Sequence, residues 1–222
     1  MLESRELTLS YGETVALAGA SVRVSPSEVV AVTGPSGSGK TSLLYCLAGL
    51  LTPSSGTVTL DGRDITHLSP EERALLRRTQ FGFVFQFAEL VPELSLRENV
   101  ALPLELQGLA RRAVAPRVEE ALSLLGISEH ADRRPRQVSG GQAQRAAVAR
   151  ALVHRPQVLF ADEPTGALDS TNGELVFKAM LDLARESGSS VVLVTHDEHL
   201  AGAADRVIPM RDGAVTQVGI RL

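Results

Sequence analysis

The run Gly34-Pro35-Ser36-Gly37-Ser38-Gly39-Lys40-Thr41-Ser42 has the residue types needed to hold a chain of phosphates. Glycines spaced this closely let the backbone wrap an anion without Cβ interference, so that successive N–H groups and the positive start of a following helix converge on it. Lys40 is placed to neutralise the β and γ phosphates and Thr41 to ligate Mg²⁺, which makes a nucleoside triphosphate with magnesium the expected ligand class. The chain contains two lysines, Lys40 and Lys178, and one of them stands where such a loop requires it.

Three further places carry chemistry. The apolar run Val158-Leu159-Phe160-Ala161 delivers Asp162 and Glu163 to the end of a strand, where adjacent side chains point in different directions and can hold different tasks. Asp162 would contact Mg²⁺ or its water, and Glu163 would take a proton from an attacking water as general base. Taken alone, such a pair also reads as a solvated turn. Val138-Ser139-Gly140-Gly141-Gln142 is either a well-capped helix start or a second anion-binding helix start, because Ser139 can cap while the glycine N–H groups stay free. His196 follows the apolar stretch 190–194, whereas His67, His130, His154 and His199 have no comparable setting and are expected at the surface or in caps.

These residues need a scaffold. Strands are expected over residues 3–9, 20–24, 29–33 and 57–60, followed by the Asp61-Gly62 turn, and a helix over 42–51. The alternation of Phe81, Phe83, Phe85 and Phe87 predicts one strand face ending at Gln86. Ser95-Leu96-Arg97-Glu98 has capping-box spacing and opens a helix to about residue 107. Further helices are expected at 113–125, after Ser139 and at 173–186, with strands at 158–161, 190–194, 206–210 and 214–218. Apolar strands alternating with helices imply a parallel sheet covered on both faces, with ligand at the carboxyl ends of the strands. The fold class expected is α/β. One domain over 1–222 is expected, its nucleotide-binding core formed by 1–86 and 155–222 and a helical segment, 87–154, inserted between them.

Composition narrows the class. At 222 residues, 44% apolar and 22% charged, the chain has enough material for a packed core. Its longest mostly apolar stretch, 43–51, is far short of a membrane span, and the first residues lack a signal-peptide core, so a cytoplasmic location is expected. Cys46 is the single cysteine and sits among apolar residues, which predicts burial as a small hydrophobe and excludes an intramolecular disulfide. A net charge of −4 argues against a general nucleic-acid binder, and Arg133-Arg134-Pro135-Arg136 reads as a solvated loop. No nucleic-acid partner is expected.

With these motifs in this order, nearly the whole chain resembles the ATP-binding cassette (ABC) family. Residues 34–41 resemble its Walker A loop, Gln86 its Q-loop glutamine, Ser139 to Gln142 its signature, and Leu159 to Glu163 its Walker B strand with the catalytic glutamate. Ala167-Leu168-Asp169 resembles the D-loop, His196 the switch histidine, and Tyr11 the aromatic that stacks on adenine. Val138 replaces the usual leucine, and Gly166 stands where many members have serine. The resemblance implies a P-loop fold with an N-terminal antiparallel β subdomain and an inserted helical subdomain. It implies Mg²⁺-dependent ATP hydrolysis with Glu163, His196 and Gln86 as catalytic groups, and Thr41, Gln86 and Asp162 at the metal. It further implies a head-to-tail dimer in which each ATP lies between Walker A of one copy and the signature of the other, with Asp169 at the dimer contact.

Residues 97–104 and 162–170 look most like the lipoprotein-releasing and macrolide-export branch. That branch implies an integral membrane permease as partner and a peripheral place on the inner face of the plasma membrane. The connection Phe87-Ala88-Glu89-Leu90-Val91-Pro92 is apolar enough to receive such a subunit. The alternative is a soluble cassette acting with a scaffold in iron-sulfur assembly or cell division. A chromosome-associated ATPase would carry a long coiled-coil insertion, zinc cysteines or a second cassette, and this chain has none of them.

Overall fold

The computed structural model describes residues 1–216. In chain order, β1 (Leu2–Tyr11), β2 (Thr14–Val24), β3 (Val29–Thr33), α1 (Lys40–Leu47), β4 (Ser55–Leu60), β5 (Arg63–Asp64) and α2 (Pro70–Gln80) come first. Then follow β6 (Phe81–Val84), α3 (Leu96–Leu106), α4 (Arg111–Leu124), α5 (Gly140–Leu152), β7 (Val158–Asp162) and α6 (Ser170–Glu186). The last elements are β8 (Ser190–Val194), α7 (Glu198–Ala201), β9 (Arg206–Arg211) and β10 (Ala214–Val215). They form two compact units, one of Met1–Arg77 with Ser190–Leu222 and one of Arg78–Ser189. The expected helical segment 87–154 lies inside the second unit, which also holds β6, β7 and α6.

In the first unit an antiparallel sheet runs in the order β2-β1-β4-β5. β3 lies between β8 and β9 and is parallel to both, with Val30 opposite Val192 on one side and Arg206 on the other. Every residue of β8 and four of the five in β3 are buried, as expected of parallel strands covered on both faces. α1 buries Leu43, Leu44, Cys46 and Leu47. Burial pushes the Cys46 thiol up to about 11, so it behaves as a hydrophobe, as its setting in the sequence implies. α1 ends at Leu47 rather than near residue 51, and Gly49 turns the chain away at φ +62.

The second unit pairs β6 with β7 in parallel, Phe81 opposite Val158 and Val84 opposite Ala161. α3 opens on the expected capping box: Ser95 Oγ accepts from the Glu98 N–H, and Glu98 accepts from the Ser95 N–H. α5 opens likewise, with Ser139 and Gln142 in reciprocal bonds. Such caps contribute about 1 kcal/mol each and explain why both helix starts are readable in sequence.

Several expectations need correction. β6 ends at Val84, not Gln86, and Phe87 is 72% exposed and off the strand. Phe81 is buried edge-on against Phe160, while Phe83 and Phe85 are half-buried and stack on each other at 6.0 Å. His154 is not a surface residue: its Nε2 lies 3.0 Å from the Phe81 carbonyl oxygen and its Nδ1 is buried without a partner. His130 likewise buries Nδ1. α6 begins at Ser170, three residues early, because Asp169 caps it. α2 and α7 are additional to the expected elements, although Ser69-Pro70-Glu71-Glu72 is a capping box with proline in the first turn, and the Ser69–Glu72 bonds form. The last expected strand forms as Ala214–Val215, and its residues 217 and 218 lie outside the described residues.

Candidate functional site

The phosphate loop belongs to the first unit, where β3 ends and α1 begins. Gly34, at φ +147, opens it, and a Cβ there would run into the Met210 carbonyl. Gly39, at φ +96, closes it, and a Cβ there would run into the Ala16 carbonyl. Only glycine fits either place, for reasons of conformation and of space. Gly39 is the N-cap of α1 and supplies no side-chain bond, and the first turn carries no acid. The helix start therefore offers its N–H groups and positive dipole to an anion. Lys40 Nζ folds back to 2.8 Å from the carbonyl oxygens of both Gly34 and Pro35. Ser38 Oγ is buried with no hydrogen-bond partner. Thr41 is exposed on the first turn, and Ser42 beside it is half-buried.

His196, beyond the end of β8, is exposed and lines a cavity of about 780 Å³ together with Thr33, Gly34 and Pro35. The structure thus brings His196 to the start of the phosphate loop. Tyr11 sits at the β1–β2 hairpin, opposite Thr14, with half of its surface exposed. It does not line that cavity.

The other expected site residues fall in the second unit. Asp162 ends β7 half-buried, and Glu163 follows it with a left-handed backbone, φ +47. A non-glycine residue in that region costs about 1–3 kcal/mol, a strain that collects at functional sites. The Gly166 N–H closes the turn onto the Glu163 carbonyl at 3.0 Å. Gln86 is half-buried, and its side chain packs so closely over Gly166 that an added Cβ would lie 2.9 Å from Nε2. Ser139, Gly140, Gly141 and Gln142 form the start of α5, with Gly141 packed near Asn172. Asp169 caps α6 through bonds to the Asn172 N–H at 3.0 Å and Nδ2 at 2.7 Å. The Asn172 side chain, and then its backbone N–H, hold the Asp169 carboxyl below the usual carboxylate range.

Three polar residues outside the expected site, two of them buried and one half-buried, hold the neighbouring backbone. Gln144, 2% exposed on α5, donates from Nε2 to the Phe85 carbonyl at 2.8 Å and the Pro164 carbonyl at 2.7 Å. Arg150, also on α5, donates to the carbonyls of Ala88 and Glu89 at 2.9 and 2.7 Å. Both of those residues have left-handed backbones. Asn99, fully buried on α3, accepts from the Val91 N–H at 2.7 Å and donates to the carbonyls of Val91, Leu94 and Ser95. These three side chains hold the connection that begins at Gln86 and leave Phe87 pointing outward. A polar residue on an otherwise apolar helix face was the one available signal, and Gln144 within 143–149 carries it.

Residues 17–166 match the family model described as ABC transporter. The chain is 45% identical over 199 residues to the lipoprotein-releasing system ATP-binding protein LolD 1 of Rhodospirillum rubrum, covering 90% of this chain and 88% of that protein. To LolD of Bacteroides fragilis it is 40% identical over 97% of this chain and all of that protein. The macrolide export ATP-binding/permease protein MacB of Marinobacter nauticus is 42% identical over 98% of this chain, which spans 34% of that longer protein. Among solved structures, the dimeric post-hydrolysis state of the ATP-binding cassette MJ0796 bound to ADP and Pi superposes with a TM-score of 0.91 at 36% identity, over 99% of this chain and 98% of that one. This chain belongs to the ABC transporter family and is an ATPase cassette of the P-loop α/β fold.

Proposed function

We propose that this cassette binds and hydrolyses Mg²⁺-ATP as a head-to-tail dimer and drives an integral membrane permease of the lipoprotein-releasing or macrolide-export type. The observation that carries this reading is the loop 34–42, with its glycine-only turns, its uncapped helix start, the buried unpartnered Ser38 hydroxyl and Lys40 held on loop carbonyls. A triphosphate would replace neutral carbonyl acceptors of Lys40 by charged oxygens, and charge-assisted bonds are the stronger ones. Tyr11 would lie against the adenine.

Thr41, Asp162 and Gln86 would hold Mg²⁺. The donor set fits by its chemistry: Thr41, Asp162 and Gln86 each offer an oxygen, and Mg²⁺ is ordinarily held by few protein oxygens, with phosphate and water completing its shell. When bound, the ion neutralises charge developing on the phosphates. Glu163 accepts the proton of the attacking water, whose oxygen bonds to the γ-phosphorus as the bond to ADP breaks. His196 steadies the γ-phosphate and Gln86 orients the water. Ser139 to Gln142 would meet the γ-phosphate of the ATP held by the second copy, and Asp169 would stand at the contact between copies.

No helix among the described residues is long and apolar enough to cross a membrane, so attachment to a membrane would come through the permease. We place the cassette at the cytoplasmic face. The reading is tested by Mg²⁺-dependent phosphate release from the purified chain. Glu163→Gln keeps the shape and loses the base, so turnover is expected to fall at least ~100-fold while ATP affinity stays within about twofold. Hydrolysis by Glu163→Gln at the unsubstituted rate would remove the general-base assignment.

A further inference from the structure

We propose that Gln144 is a positioning residue for hydrolysis in the site of its own chain, although it sits on the helix whose start serves the ATP of the partner copy. The inference rests on the roles given above to Gln86, Glu163 and the α5 start. Its basis is one buried amide. The two N–H groups of Gln144 Nε2 go to the carbonyls of Phe85 and Pro164. Phe85 precedes Gln86 and Pro164 follows Glu163. A single side chain thus fixes the backbone beside both hydrolytic groups, at 2.8 and 2.7 Å.

The surroundings make this grip sensitive. Glu163 stands in a left-handed backbone, as do Ala88 and Glu89 just beyond Gln86. Such residues stay in place only where neighbours over-determine them. Arg150 supplies a second hold on the same connection, from the same helix, less than two turns further on. α5 therefore carries at its start the groups that would meet the partner's γ-phosphate, and along its buried face the donors that register Gln86 and Glu163. A displacement of this helix on engaging one ATP is transmitted to the groups that hydrolyse the other, along a continuous set of hydrogen bonds within one chain. The partner would receive the reciprocal effect.

The test uses the full chain with Gln144→Met, which keeps length and apolar volume and removes both donors. Alone, this variant is expected to lose about tenfold or more in kcat with the equilibrium dissociation constant for ATP changed no more than about twofold, because misplacement of reacting groups lowers rate rather than ground-state binding. Location is decided by mixing Lys40→Ala chains with Ser139→Arg chains. The one intact site of such a pair has the Walker A loop, Gln86 and Glu163 of the Ser139→Arg chain and the signature of the Lys40→Ala chain.

Adding Gln144→Met to the Ser139→Arg chain is expected to cost about tenfold or more, and adding it to the Lys40→Ala chain no more than about twofold. Equal losses, or loss only from the Lys40→Ala chain, would make Gln144 a structural support of the signature helix and overturn the proposal. If the parental mixture is inactive, the head-to-tail reading fails instead, and an unchanged kcat for Gln144→Met alone would overturn the positioning role independently. Should Gln144→Met fail to fold, Gln144→Asn is used in its place; the shorter amide reaches one carbonyl and is expected to give an intermediate kcat, and a kcat equal to the unsubstituted value would refute the role.

Discussion

Lys40 is a charge stored against dipoles. The residue is 9% exposed, and its ammonium is bonded to two loop carbonyls that a phosphate could replace. Bonds to charged groups are worth about 1.5–3 kcal/mol each, so Lys40→Ala is expected to weaken equilibrium ATP binding by roughly 10- to 100-fold. Titration with a fluorescent ATP analogue measures this, and unaltered affinity would place the phosphates elsewhere. His154 gives a separate prediction for stability. Burial, aided by Arg117 and opposed by the bond to the Phe81 carbonyl, holds its pKa below the ordinary 6.5. The folded state therefore favours the neutral ring, and its contribution is complete above pH 6.5 and lost as the pH falls below that value towards the folded pKa. Thermal melts between pH 7.5 and 5.5 should show a loss of stability that is smaller in His154→Gln; equal slopes would contradict the assignment.

Among the elements, the ones legible in sequence were those whose ends are set by local chemistry. α3 and α5 were readable from Ser95–Glu98 and Ser139–Gln142, because a capping box is a contact between residues three apart. β3 and β8 were readable because buried parallel strands are continuous apolar runs. The alternation of phenylalanines misled at Phe87, since a period of two does not mark where pairing stops, and β6 pairs only as far as Val84. The hold of Gln144 and Arg150 on the backbone at Phe85, Ala88 and Glu89 was not legible, because it joins residues distant in sequence that only the fold brings together. Its product is an exposed apolar tip. Phe87 is 72% exposed beside the half-buried Leu90, and neither is in the loop that would hold nucleotide. If they receive a cytoplasmic helix of the permease, Phe87→Ser with Leu90→Ser should leave the ATPase rate of the isolated chain within about twofold and cost more than about 1 kcal/mol per anchor in permease binding. Co-purification with the permease and its effect on the ATPase rate are the measurements, and normal binding by the double variant would put the docking surface elsewhere.

For the whole molecule, one chain carries two helix starts suited to an anion, at Gly39–Lys40 and at Ser139–Gly140. The second has its capping hydroxyl satisfied, and at its two glycines an added Cβ would meet only ordinary van der Waals contacts, Leu168 at 3.8 Å from Gly140 and Asn172 at 3.7 Å from Gly141. One ATP does not need both starts, whereas two copies related head to tail, as proposed above, would use each of them once. The most direct measurement is the solution mass of Glu163→Gln with ATP and Mg²⁺, where nucleotide binds and is not consumed. Light scattering on a size-exclusion column should give twice the 23.6 kDa of one chain with ATP, and one chain without it or when Ser139→Arg is added. A monomer at saturating ATP would contradict the shared site.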